Sequence, residues 1–91
     1  MYTLVWTAGF TRSAESFMRR HRELRAKFAA VLRDLERDPF QPHLKYHSLG
    51  GKLKGIQAIS LTYSYRITLT LMVAEHEIIL LDIGTHDDLY R

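Results

Sequence analysis

The sequence predicts an α+β fold in which helices pack on one face of an antiparallel sheet. Two periodicities and one stop signal predict it. Between Phe17 and Leu35 the apolar residues Phe17, Leu24, Phe28, Val31 and Leu35 recur at steps of seven, four, three and four, the spacing of one helical face. After Gly50-Gly51 the period becomes two. Ile59, Leu61 and Tyr63 alternate with Ser60 and Thr62, and Tyr65, Ile67, Leu69, Leu71 and Val73 alternate with Arg66, Thr68, Thr70 and Met72. Between the two regimes, DPFQPH (Asp38 to His43) ends the helical stretch, because each proline disfavours helical backbone at the residue before it. A helical half followed by a stranded half gives an α+β layer structure.

Taken in chain order, YTLVW (Tyr2 to Trp6) is a short β-type run closed by Gly9. Thr11 and Ser13 are the candidate N-caps of the helical stretch, which then starts near Arg12 and forms one long helix or two in a hairpin. His21 falls inside the apolar stripe and is read as packing. Three strands follow as a meander, with tight turns expected at Tyr63-Ser64 and at Ala74 to His76. Alternation makes one face of the second meander strand core and leaves Arg66, Thr68 and Thr70 on the open face. Tyr63 and Tyr65 are read as covering core. The last strand contains IILLDI (Ile78 to Ile83), a near-continuous apolar run consistent with burial on both faces.

Ninety-one residues make one domain, residues 1–91, with one core. A chain this short buries roughly 60 to 65% of its unfolded surface, leaving little room for an enclosed site. An enzyme of this size works in an open cleft on a large substrate. No cysteine is present, which excludes disulfide and thiolate chemistry and fits a reducing cytoplasm. No apolar run approaches the roughly 18 to 20 residues of a membrane span, and the first ten residues lack the charged start of a signal peptide. The net charge of +3 is unevenly placed: residues 1–54 carry 11 Lys/Arg against 5 Asp/Glu, and residues 55–91 carry 2 against 5. Basic clusters such as RRHRELRAK and KYHSLGGKLKG suit a phosphate-backbone partner, although a solvated basic helix face has the same composition.

The motifs of nucleotide cofactors and serine hydrolases are absent. His43 and His47 are four apart, but the prolyl segment around them does not read as helix, so neither a metal nor a cofactor is expected. What remains is His47, Arg66, His86 and several tyrosines in a basic chain. RNA cleavage needs no metal: a base takes the 2′-hydroxyl proton, a cation stabilises the charge growing on phosphate, and an acid protonates the departing 5′-oxygen. Histidines suit the acid and base roles because they titrate near neutrality. A guanidinium suits bidentate phosphate recognition, and aromatics can stack on a splayed base. Lys45, Lys52 and Lys54, in the loop before the meander, are candidate backbone contacts.

The C-terminal half, LGGKLKGIQAISLTYSYRITL followed by EIILLDIGTHDDLYR, resembles the RelE/ParE toxin superfamily of bacterial type II toxin–antitoxin modules, in particular its YafQ-like and plasmid-stabilisation members. The resemblance lies in the loop pattern H-x-L-x-G-x-L-x-G, the strand pattern Y-R-I and the terminal G-T-H-D-D-L-Y. It implies a RelE-like fold: an N-terminal strand and two helices, as a hairpin, on one face of a twisted antiparallel sheet of about four strands. It further implies a cytoplasmic, ribosome-dependent mRNA endonuclease, an mRNA interferase that arrests translation. Its partners would be the ribosome, mRNA and a cognate, acidic antitoxin encoded adjacently. His47 matches the family's loop histidine, His86 the terminal histidine, Tyr90 the aromatic four residues later, and Arg66 the strand arginine of RelE and YoeB-type members. Two positions depart: Ser60 and Ser64 stand where YafQ-like toxins have a histidine and an aspartate, which leaves the general base open. The alternatives are a ParE-type toxin that poisons DNA gyrase and a non-catalytic antitoxin-binding co-repressor.

Overall fold

A computed structural model describes residues 1–90. Its elements are β1 (Thr3–Trp6), α1 (Ala8–Arg20), α2 (Arg25–Arg37), β2 (His47–Ser48), β3 (Gln57–Ser60), β4 (Tyr65–Met72), β5 (Glu77–Thr85) and a final turn of helix, α3 (His86–Leu89). The strands form one sheet in the order β1-β5-β4-β3-β2. The α+β class, the helical hairpin and the antiparallel meander β3-β4-β5 are as predicted. The sheet has five strands rather than about four, because the loop histidine begins the two-residue strand β2 against β3. It is also mixed rather than wholly antiparallel: β1 lies parallel to β5, with Leu4 opposite Ile78 and Trp6 opposite Leu80.

The first helix starts earlier than its sequence suggests. Thr7, not Thr11 or Ser13, is the N-cap, and its Oγ1 accepts from the Phe10 backbone N–H at 3.0 Å. The same hydroxyl donates to the Leu80 carbonyl at 2.8 Å, so one side chain starts the helix and ties it to β5. Gly9 therefore lies in the first turn of α1 instead of closing β1. The early start places Phe10, Ala14 and Phe17 on one stripe of α1, while α2 contributes Phe28, Val31, Leu32 and Leu35. These meet Ile59, Ile67, Leu69, Ile78, Leu80 and Ile83 of the sheet in one buried cluster. Burial of this apolar surface is the main force holding helices to sheet.

The run IILLDI is buried on one face only. Ile78, Leu80 and Ile83 are buried, whereas Ile79, Leu81 and Asp82 are partly exposed. Thr68 pairs with Asp82 and Leu69 with Leu80, so Leu81 is an extra residue opposite that step, a β-bulge. The bulge lets residues of opposite parity face the helices. The Asp82 carboxylate accepts from the Ile83 N–H at 2.8 Å beside the irregularity. Downstream of the bulge, Ile83 points to the core and Gly84 to the open face, opposite Arg66.

His21 closes α1 and lies against Phe17 and Tyr65, with ring centroids at 4.4 and 4.9 Å, so it packs as expected. Tyr65 covers core in the same contact group. Tyr63 does not: it is 97% exposed.

Candidate active site

Register alone assembles the open face. His47 pairs with Ala58, Ala58 with Thr68 and Thr68 with Asp82, so these four form one row across the sheet. Ser60, Arg66 and Gly84 form the next row toward the end of β5. Side chains in a row share a face, so His47 and Arg66 are on the same side, opposite the helices. They lie two strands and one row apart, which separates their Cα atoms by about 12 Å at ordinary strand spacing.

The open face is not bare. Ala58 and Thr68 belong to it yet are buried, at 0% and 6% exposure. Over β4 and β5 the cover is α3, which turns back immediately after Thr85. The Thr85 hydroxyl caps it, accepting from the Asp88 N–H at 3.2 Å. The absence of a side chain at Gly84 permits the approach: a Cβ there would lie 3.3 Å from Asp88 Cβ and 3.6 Å from Leu89 Cδ2. Asp88 thus packs on the sheet backbone, while Asp87 is solvated. At the end of α3, Tyr90 reaches the loop before β3 and lines a shallow pocket of about 390 Å³ with Leu49, Gly50, Lys52 and Leu53.

The tautomer of His47 is set by its surroundings. Its Nδ1 lies 2.9 Å from the Lys45 carbonyl, an acceptor only, so in the neutral ring Nδ1 carries the proton, and Nε2 has no hydrogen-bond partner among the described residues. Lys45 holds that carbonyl in place with a left-handed backbone (φ 54°). Arg66 donates from Nη1 to the Tyr63 carbonyl at 3.4 Å, which directs its guanidinium toward the β3–β4 turn. The side chain of His86 is 63% exposed; its ring meets Tyr90 edge-on at 4.1 Å, and its Nδ1 is 3.6 Å from Asp87 Oδ1. The Tyr90 hydroxyl is buried without a hydrogen-bond partner among the described residues. Lys52 and Lys54 are exposed beside the Tyr90 pocket, and Lys45 beside His47.

The structure therefore joins His86 to Tyr90, Tyr90 to Lys52, and His47 to the row beside Arg66. Ser60 is not a free hydroxyl: its Oγ donates to the Thr62 carbonyl at 3.0 Å. The Ser64 backbone N–H donates to Thr62 Oγ1 at 3.2 Å, a bond that does not depend on the serine side chain, so of the two serines Ser60 is the one whose hydroxyl serves the turn. Below this loop, burial pushes the Tyr46 phenol above its ordinary range, and nearby Tyr2 adds to the shift. Among the described residues no group of three or more His, Asp or Glu side chains has the geometry to hold a metal ion. On the opposite, helical side, a groove of about 710 Å³ opens among Trp6, Met18 and Phe28, rimmed by Arg19, Arg22 and Arg25. Sequence reasoning missed Gly84 and Tyr63. A glycine directly after the apolar run, at the end of the last strand, was the available signal for the first.

No protein-family model and no curated protein matches the sequence. Solved structures do. YafQ from E. coli superposes over 100% of both chains with a TM-score of 0.82 at 16% identity. The YoeB/ParE toxin from Agrobacterium tumefaciens covers 92% of this chain and 98% of its own, with a TM-score of 0.76 at 21% identity. A chain of the toxin–antitoxin complex RelBE2 from Mycobacterium tuberculosis covers 93% and 98%, with a TM-score of 0.69 at 20% identity. The fold is that of the RelE/ParE toxins. YafQ is also similar as it occurs in the E. coli DinJ–YafQ complex, at a TM-score of 0.80. Within the RelE/ParE fold, His47 lies on an edge strand, Arg66 near the start of a central strand and His86 just past the end of its neighbour.

Proposed function

We propose that this protein is the toxin of a type II toxin–antitoxin pair and cleaves mRNA on the ribosome, in the cytoplasm, by acid–base chemistry. The observation that carries the reading is the shared face: a histidine with a free Nε2, an arginine one row away, and a His–Tyr pair at the adjoining strand end. His47 Nε2 takes the proton from a 2′-hydroxyl, or positions the phosphate. The 2′-oxygen attacks phosphorus as the bond to the 5′-oxygen breaks. Arg66 stabilises the charge on the non-bridging oxygens, and protonated His86 gives its proton to the leaving 5′-oxygen. Tyr90 holds His86 edge-on and orients the base, while Lys45, Lys52 and Lys54 hold the backbone of the message. An open cleft fits a substrate presented by a ribosome, whose RNA meets the arginines of α1 and α2.

The fold likeness to chains from toxin–antitoxin complexes supports a neutralising protein partner. An acidic amphipathic segment, encoded adjacently, would match the apolar floor and arginine rim of the groove between α1 and α2. The deciding experiment is a translation reaction with purified ribosomes, in which mRNA cleavage is mapped. Arg66→Ala and His86→Ala should each lower cleavage by about 10²-fold or more while the thermal midpoint stays close to wild type. Full cleavage by both variants sinks the assignment. DNA damage and filamentation in cells, with the message intact, would instead identify a gyrase poison.

A further inference from the structure

We propose that Tyr63 is a positioning residue for RNA, its ring stacking on the nucleobase next to the phosphate that Arg66 holds. The inference rests on the mRNA-cleavage reading and adds a residue to it. Isolated exposed apolar side chains are common on protein surfaces. The other exposed aromatics here, however, rest on a neighbouring ring: Trp6 on Phe10 at 4.9 Å and Phe40 on Tyr46 at 5.0 Å. Tyr63 is 97% exposed and pairs with no ring among the described residues. It contributes no packing, so the fold does not account for an aromatic there.

The turn that carries it is nevertheless firmly held. Leu61 N–H and Thr62 N–H donate to the Tyr65 carbonyl at 2.9 and 3.2 Å. Thr62 Oγ1 accepts from the N–H groups of Ser64 and Tyr65 at 3.2 and 3.3 Å, and Ser60 Oγ donates to the Thr62 carbonyl at 3.0 Å. The Arg66 guanidinium completes the set by donating to the carbonyl of Tyr63 itself at 3.4 Å. A rigid turn thus presents a bare ring on a backbone tied to the cation of the site. The turn lies at the same end of the sheet as His86, since Tyr65 pairs with Thr85. Base stacking on an exposed aromatic is tolerant of sequence, because each nucleobase offers a π-face. Held this way, a nucleotide is located by two points, phosphate on Arg66 and base on Tyr63.

The ring holds ground state and transition state alike, so its loss raises KM for the ribosome–mRNA substrate and leaves kcat nearly unchanged. Tyr63→Ala should raise KM about 5- to 150-fold, the range of single-base stacking, and Tyr63→Phe should stay close to wild type. Binding of a fluorescent single-stranded RNA hexamer, which needs no cleavage, should weaken by the same factor in Tyr63→Ala. Thermal midpoints should be unchanged, since the ring packs on nothing. Wild-type KM and hexamer affinity in Tyr63→Ala overturn the proposal while leaving the nuclease reading intact. Equal losses in Tyr63→Ala and Tyr63→Phe also overturn it, because they assign the contact to the hydroxyl. If instead Arg66→Ala and His86→Ala cleave normally, the nuclease reading fails, and a hexamer difference at Tyr63 still supports the stacking contact.

Discussion

Gly84 is the position where a single added side chain should separate stability from activity. Its missing Cβ faces α3, with Asp88 Cβ at 3.3 Å, Asp88 Oδ2 at 3.5 Å and Leu89 Cδ2 at 3.6 Å. Gly84→Ala needs α3 to give by a few tenths of an ångström. That crowding is offset by about 0.4–1 kcal/mol from stiffening the unfolded chain, so the net change in stability should be under about 1 kcal/mol. Gly84→Val puts two more methyl groups into the same gap, and α3 must lift. Overpacking costs about 1–3 kcal/mol, but the three nearest atoms all belong to α3 rather than to the core, so the low end applies: about 1 kcal/mol, or roughly 4–8 °C in Tm. On the proposed nuclease reading, activity should respond far more, because α3 carries His86 and leads into Tyr90, and misplacing a reacting group by about 1 Å lowers rates by roughly 10²-fold. Ribosome-dependent mRNA cleavage and amide hydrogen exchange measure the two effects together. The reporting amides are Asp88, bonded to Thr85 Oγ1 at 3.2 Å, and Tyr90, bonded to the His86 carbonyl at 3.0 Å. A Gly84→Val protein that cleaves at the wild-type rate with those amides equally protected would refute the role given to this contact.

Two further substitutions test the fold around the site. Thr7→Val keeps the side-chain shape but removes both the N-cap bond to Phe10 and the donor to the Leu80 carbonyl. It should cost about 2 kcal/mol, lowering Tm by roughly 8–16 °C, whereas Thr7→Ser should cost much less; an unchanged midpoint in the valine variant contradicts the double role. Tyr90→Phe removes a buried hydroxyl that has no partner among the described residues, so it should raise stability by about 1 kcal/mol, read as a higher urea midpoint. A lower midpoint would mean that the hydroxyl is bonded after all.

Much of this architecture was legible because one physical variable, the period of apolar residues, dominates it. The α2 stripe Phe28, Val31 and Leu35 is buried, and the β4 alternation puts Ile67 and Leu69 in the core with Leu71 packed against it, because apolar surface is driven out of water. The same alternation placed Arg66 on the face opposite the helices. Where the sequence misled, a tertiary contact outweighed a local signal. Thr7 has no capping advantage over Thr11 until the Leu80 carbonyl is beside it. IILLDI reads as a doubly buried strand until the bulge at Leu81 shows how Ile78, Leu80 and Ile83 all reach one core. Tyr63 lies in the turn expected at Tyr63-Ser64, and that turn, rather than the β3 alternation, carries its ring into solvent instead of over the core.

The sequence by itself determined the α+β class and the core face of β4 and supplied the candidate site residues, because composition and period act locally along the chain. Which of those residues meet is a different matter. The register that sets His47 and Arg66 in neighbouring rows, the parallel pairing of β1 and the folding of α3 over Gly84 all join residues distant in sequence. They depend on hydrogen bonds and close approaches that exist only once the sheet has formed, so only the tertiary structure decided them.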